Sequence, residues 1–330
     1  MSSPKIALFA AKNSPQIEKL RDIVQDEGAQ PLVFDIRLGG ESLPSVTLAP
    51  ERLRWDGVDF AEIAAVHVRC VAFNTPPAVT PLLGSASYSE LRCRFLREQE
   101  YQSVTSSFLE QLVRRGKLVI DLFTSAAHLD HEAKAQRNQK FRALGLAVPR
   151  TLTTNDPERA LSFLNEVGQT VAKPGIGVGS TRRVLEADLE RLHEFRACPV
   201  LLQELIIGDT LRVHIVADSV VLALKVISED QVDSRTAVKG VEFFKLPDAE
   251  EELLVKANRA LGLHYAAWDI LATPDGRYVS LDCNPGPYIM WIGEENAAIV
   301  LRELTRYMIA YAHTRSVSEA ALAVRPWRPS

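Results

Sequence analysis

Three oxygen-bearing side chains late in the chain, Asp269, Asp282 and Asn284, are spaced so that they can meet. Two β-like runs, 266–272 and 278–283, flank Pro274-Asp275-Gly276, a composition suited to a hairpin turn. Side chains alternate across a strand, so Asp282 and Asn284, two apart, share a face. With Asp269 on the neighbouring strand, two carboxylates and an amide oxygen converge. Hard oxygen donors of this kind suit Mg2+, which binds through one or two carboxylates together with substrate phosphates. A hairpin whose acids are merely solvated fits the same residues, and both readings stay open on this stretch alone.

A second group of chemistry-bearing residues lies upstream. The strand-like Val171-Ala172-Lys173 delivers a lysine to a loop holding Gly175, Gly177, Gly179, Ser180 and Thr181. Free backbone N–H groups in such a loop can close over phosphate oxygens, with the lysine as a point charge beside them. A hairpin turn explains the same glycines. Lys134 falls in the first turn of a helix expected over 131–144 and stopped by Gly145. The apolar run 200–206 is interrupted by Gln203 and Glu204, and polar groups inside such a run need partners. Backbone groups of Glu204, Leu205 and Ile206 could pair with an adenine edge, with Glu204 near the ribose or amino group. Arg212, Lys225 and Asp233-Ser234-Arg235 add charge that also reads as ordinary strand-edge charge. Neither a Walker nor a Rossmann glycine pattern follows the first strand, so neither device would hold a nucleotide.

The elements that must position these groups follow from pattern. The first third alternates strand 5–10, helix 15–27, strands 31–36 and 64–69, helix 88–115 and strand 118–122, an order that predicts a small parallel α/β sheet. Segments 39–59 and 74–87 are polar or Pro-bearing and are expected to be loops. Arg92, Arg94, Arg97, Arg114 and Arg115 on the long helix form a solvated face or a docking surface for an acidic partner. Further on come a strand at 151–154, a helix opened by Asp156-Pro157 and closed by Gly168, and a hairpin of 211–216 with 220–226.

At 330 residues, two or three subdomains are expected. The net charge of -4 supplies no basic field for nucleic acid or an acidic membrane. A hydrophobic content of 46% and mean hydropathy of -0.03 are ordinary for a soluble globular protein. Cys70, Cys93, Cys198 and Cys283 lack C-x-x-C spacing, which points to reduced thiols in a cytoplasm. No apolar run approaches the roughly 18 residues of a membrane span, and no apolar signal region follows Met1. A cytoplasmic location is expected.

In this order the features resemble the ATP-grasp superfamily of carboxylate–amine ligases, from about Leu118 to the end of the chain. The first third is compatible with that family's pre-ATP-grasp domain. The resemblance implies an N-terminal α/β domain over 1–122, a central lobe with the glycine loop over 123–202 and a C-terminal lobe with the metal site over 203–330. It makes Lys134 and Lys173 the nucleotide lysines, Q-E-L-I at 203–206 the adenine hinge, and Asp269, Asp282 and Asn284 the Mg2+ ligands. Arg212 in G-D-T-L-R-V and Arg235 in D-S-R would hold the transferring phosphoryl group or the acyl phosphate. The family usually carries Glu where Asp282 stands.

Within the superfamily the chain is most similar to the graspetide (microviridin-type) peptide macrocyclases, through 149–158, V-D-S-R at 232–235 and N-P-G-P-Y-I-M-W-I at 284–292. Those ligases commonly show N-P-x-G-Q-x-x-W-I and D-W-R, so a Gln is lost here and Ser234 replaces Trp. His67–Cys70 also lacks their aromatic W-x-R-R. The implied activity uses ATP and Mg2+ to turn a carboxylate into an acyl phosphate, which an amine or hydroxyl then captures. The implied partner is a precursor peptide with acidic and Ser, Thr or Lys residues in its core, and likeness alone suggests a homodimer. The alternative is a glutathione-synthetase-like ligase acting on small molecules or amino acids. A non-catalytic module on this scaffold would be free to lose the lysines and the metal-type residues, and all of them are present.

Overall fold

Short apolar strands alternating with helices build the first of two units. The computed structural model describes residues 3–11, 13–36, 44–69, 88–121, 133–175, 181–229, 232 and 238–326. One unit comprises Met1–Thr124 with Leu301–Val324, the other Ser125–Val300 with Arg325–Ser330.

The first unit runs β1 (Lys5–Ala10), α1 (Pro15–Asp26), β2 (Gln30–Asp35), β3 (Val46–Leu48), β4 (Leu53–Trp55), β5 (Val58–Asp59), β6 (Ala65–Arg69), α2 (Tyr88–Arg114) and β7 (Leu118–Ile120). Its main sheet is parallel, in the order β2-β1-β6-β7. Ile6 to Ala10 are completely buried, as a parallel strand covered on both faces requires. Pro15 opens α1, and Ile17, Leu20, Ile23 and Val24 recur at helical spacing on its buried side. The expectation of a loop over 39–59 fails where it is described: β3, β4 and β5 form an antiparallel sheet. Strands of two or three residues leave too little alternation to read, yet they deliver Trp55 into the core. There its ring lies 5.0 Å from Phe9 and 5.1 Å from Phe108. Arg302 joins this unit by bonding Glu27 at 2.8 Å, and the Tyr311 hydroxyl donates to the Gly116 carbonyl at 2.8 Å. Arg92, Arg97 and Arg114 are exposed, as are Phe95 and Leu96. The loop expected at 74–87 lies outside the described residues.

The second unit runs α3 (Lys134–Ala143), β8 (Thr151–Thr154), α4 (Pro157–Val167), β9 (Thr170–Lys173), β10 (Arg182–Arg183), α5 (Glu186–Leu189), β11 (Val200–Glu204), β12 (Asp209–Val216), β13 (Ser219–Ser228), β14 (Val238–Phe243), α6 (Asp248–Ala260), β15 (Tyr265–Ala272) and β16 (Tyr278–Asn284). Two helices follow in the chain, α7 (Glu294–Thr314), which passes into the first unit at Leu301, and α8 (Val317–Ala321), which lies in the first unit. Two antiparallel sheets result, β10-β9-β11-β8 and β14-β13-β12-β15-β16. Asp156 caps α4 by accepting from the Glu158 N–H at 2.9 Å, and Gly168 closes that helix at φ +80°.

The larger sheet buries Leu211, Val213, Ile215, Ala266, Trp268, Ile270 and Cys283 in one core with Phe141 and Leu254. Helix α3 is anchored there by Phe141, whose ring lies 4.9 Å from that of Trp268. The chain beyond α3 then pairs with β16 through an Ala147–Val279 bridge, in which the Ser280 N–H donates to the Ala147 carbonyl at 2.8 Å. Gly208, between β11 and β12, packs so closely on the end of β15 that a Cβ there would stand 2.6 Å from the Ala272 oxygen. Among the described residues no helix is long and apolar enough to cross a membrane.

Candidate active site

Strand register gathers the acidic set. Arg212 on β12 is opposite Asp269 on β15, and Asp269 is opposite Asp282 on β16. Directly opposed residues share a face, and alternation places Trp268 and Ile270 in the core and Asp269 on the other side. The pairing shifts between Asp269 and Ile270, so that Ile270 meets Ser280 and Leu281 is the extra residue of a bulge. Cys283 stays in the core while Asp282 and Asn284 turn to the face of Asp269. The Asn284 amide nitrogen donates to Asp269 Oδ2 at 3.3 Å.

Two arginines hold the carboxylates. Arg212 Nη1 donates to Asp269 Oδ1 at 2.6 Å. Arg137 on α3 hydrogen-bonds Asp282 Oδ1 through Nη1, and its Nη2 donates to the Leu281 carbonyl at 3.3 Å. Burial works against the charge of Arg212, yet the charge and hydrogen bond of Asp269 outweigh it and raise its pKa. The Cys283 thiol is pushed well up by burial and by Asp282, which keeps it protonated and inert.

Lys173 ends β9 and donates from Nζ to Gln203 Oε1 at 2.7 Å. Gln203 Nε2 donates to Thr151 Oγ1 at 3.1 Å, and Asn138 Nδ2 reaches the same hydroxyl at 3.3 Å. With its nitrogen committed to Thr151, the Gln203 amide must present oxygen to the lysine. Burial lowers the Lys173 pKa to about 8; Lys134 and Arg137 add to the fall, and Asp282 and Asp269 oppose it. The charges of Lys134, Arg137, Asp269 and Asp282 therefore all act on Lys173. Lys134 begins α3, and its backbone N–H lies 3.5 Å from the Gly175 carbonyl, beside the start of the glycine loop.

The remaining expected residues are placed as follows. The backbone N–H of Glu204 bonds the Arg150 carbonyl and that of Leu205 bonds the Gln169 carbonyl, each at 2.9 Å. Glu204 also accepts the Arg150 N–H at 3.1 Å through its side chain. Ile206 follows the end of β11. Gln203, expected in the adenine hinge, is buried, and its side-chain oxygen accepts from Lys173. Gly177, Gly179, Ser180 and Arg235 lie outside the described residues. Sequence reasoning missed Arg137, Asn138 and Thr151. The spacing carried a signal for Arg137, because Lys134, Arg137 and Phe141 recur at helical period along α3.

The cluster suits a polyphosphate with a hard cation. Lys134, Arg137, Lys173 and Arg212 outnumber Asp269 and Asp282, leaving a positive balance for phosphate oxygens. Asp269, Asp282 and Asn284 bring carboxylate and amide oxygens, hard donors of the kind that suit Mg2+, to one face of the sheet. No group of three or more His, Cys, Asp or Glu side chains able to hold a metal occurs among the described residues.

Residues 133–302 match the RimK-like ATP-grasp domain. The chain is 30% identical over 223 residues to a "Probable alpha-L-glutamate ligase" of Pasteurella multocida; the match covers 64% of this chain and 66% of that protein, just under two thirds of its length. It is 29% identical over 220 residues to the tetrahydromethanopterin:alpha-L-glutamate ligase of Methanocaldococcus jannaschii, covering 62% of this chain and 74% of that protein. The solved structure of ATP-grasp ligase PsnB complexed with minimal precursor, Mg and ADP is similar with a TM-score of 0.79 and 29% identity, over 93% of this chain and 97% of that one.

Proposed function

The chain belongs to the RimK-like ATP-grasp family, and on that premise we propose that it is an ATP-dependent ligase that joins carboxylates to amines or hydroxyls. One oxygen of a substrate carboxylate attacks the γ-phosphorus of ATP, ADP leaves, and an acyl phosphate forms. An amine or hydroxyl then attacks the acyl carbon, loses its proton and expels phosphate. The observation that carries the reading is the joining of Lys134, Lys173 and Arg212 with Asp269, Asp282 and Asn284 in one cationic, oxygen-lined cluster.

In such chemistry the protein positions and neutralises rather than bonding covalently. Lys173, aimed by Gln203, and Lys134 would neutralise the phosphates. Arg212 offers a planar fork to the transferring phosphoryl group, and a donor of that kind is worth roughly 10²–10³ in rate. Arg235 is a second candidate for that role, on family likeness alone. Asp269, Asp282 and Asn284 would hold Mg2+, which when bound neutralises charge developing on the phosphoryl oxygens. The glycine loop with Gly177, Gly179 and Ser180 would cover the phosphates, and the backbone at Glu204–Ile206 would receive the adenine.

The substrate proposed is a precursor peptide, with Asp or Glu side chains activated and Ser, Thr or Lys side chains as nucleophiles. Likeness to the precursor-bound ligase PsnB over 93% of the chain supports this. The glutamate-ligase names of the sequence relatives favour a second reading, addition of free glutamate to a small acceptor. ADP release with acidic peptides, compared with free glutamate, separates the two. Peptide-dependent turnover, with loss of one water's mass per bond, is expected. Turnover with free glutamate and none with peptides would replace the first reading by the second.

A further inference from the structure

We propose that Gln203 and Thr151 are positioning residues of this site: together they orient the Lys173 ammonium through a neutral acceptor, which does not itself cancel the charge that nucleotide phosphates need. The inference rests on the ATP reading above.

The register of the smaller sheet lays out the parts. Thr151 on β8 is opposite Gln203 on β11, and Gln203 is opposite Val171 on β9. Lys173 follows Val171 at period two, so it shares their face at a diagonal step, within reach of a long side chain. Gln203 is 3% exposed, and a buried amide needs a partner at each end.

The Thr151 hydroxyl decides which end goes where. Its hydrogen is donated to the Pro149 carbonyl at 3.0 Å, so toward its other neighbours the oxygen can only accept. Two amides supply N–H groups to it, Gln203 Nε2 at 3.1 Å and Asn138 Nδ2 at 3.3 Å. A Gln203 side chain turned over would set its carbonyl oxygen against the hydroxyl oxygen and its NH2 group against an ammonium. It therefore holds Oε1 to Lys173 Nζ, at 2.7 Å. Asn138 brings α3, the helix that Lys134 begins, to the same hydroxyl.

The choice of an amide matters. A carboxylate at this place would orient the lysine equally well, but as an ion pair in competition with phosphate. Gln203 fixes the direction and leaves the charge. Neither Gln203 nor Thr151 touches the phosphates in this scheme; both act through Lys173.

ADP affinity of the full-length protein, measured by calorimetry with thermal melting alongside, tests this in Gln203→Met, Gln203→Glu and Thr151→Val. Gln203→Met is also made in a Lys173→Met background. Gln203→Met and Thr151→Val should each weaken ADP binding by about 10-fold, the size of a hydrogen bond to a charged group. Gln203→Glu should hold the melting temperature and still weaken ADP binding by about 10-fold, because the lysine is then paired. In the Lys173→Met background Gln203→Met should make no further difference. The Glu variant keeps a partner for the lysine, so it remains informative if the other two do not fold. An equal loss with and without Lys173 would mean that Gln203 acts elsewhere, and overturns the proposal. Unchanged ADP affinity in any of the three single variants overturns it too. Failure of the wild type to bind ADP would instead refute the ATP reading, and this inference with it.

Discussion

Lys173 gives the sharpest quantitative test. Its pKa falls from the ordinary 10.5 to about 8 because its ammonium is buried, with Lys134 and Arg137 adding to the effect and Asp282 and Asp269 opposing it. That difference is worth about 3 kcal/mol against the charged form in the folded protein. Below pH 8 the lysine is charged both folded and unfolded, so the full cost is borne. Between about pH 8 and 10.5 the folded protein has shed this proton and the unfolded chain has not, so this group makes stability rise with pH. A bound polyphosphate reverses the balance by favouring the ammonium, so nucleotide binding near pH 8–9 takes up a proton. ADP affinity should fall by up to 10-fold per pH unit above about 8, and calorimetry in buffers of different ionisation enthalpy should show proton uptake. Lys173→Met should bind ADP weakly and without this pH dependence. At pH 7 it should be more stable than the wild type by about 2 kcal/mol, the relief of burial less about 1 kcal/mol for the bond lost by Gln203. ADP affinity flat from pH 7 to 9.5 in the wild type, or an unchanged slope in the Met variant, would refute the reasoning.

Other outcomes follow from the same contacts. Asp282→Asn should abolish ADP release while leaving the melting temperature close to wild type, since its amide oxygen still accepts from Arg137; turnover at the wild-type rate would remove Asp282 from the metal set. Asp282→Ala should also lose about 3 kcal/mol in denaturant unfolding, because it strands a buried guanidinium. Gly208→Ala should cost about 1–3 kcal/mol, since the added carbon meets the Ala272 carbonyl and must push two strands apart; an unchanged unfolding midpoint would show that the connection yields freely.

Much of this arrangement was legible wherever the signal was local. The turn at Pro274-Asp275-Gly276, the Asp156 cap and the Gly168 stop follow from the few residues around them, and each forms as expected. The placing of Asp282 with Asn284 needed only period two. What escaped depends on distant partners. Trp55 is buried by a sheet whose strands are too short to carry a period. Arg137 gains its meaning only when α3 docks beside a bulged strand, and a helix pattern cannot announce a bulge elsewhere. The side-chain partner of Gln203 depends on how β9 and β11 align, which its place in the chain does not disclose.

The bulge in β16 has a consequence for how proteins on this plan should be aligned. Ser280 and Asp282 are two apart yet face opposite ways, because the uncounted Leu281 resets the alternation between them. A chain folding alike with an uninterrupted ladder would carry its acid one position nearer the hairpin turn. Column-by-column alignment across that point would then set the acid of one protein against the odd residue of the other, so gaps there should follow the pairing rather than the letters.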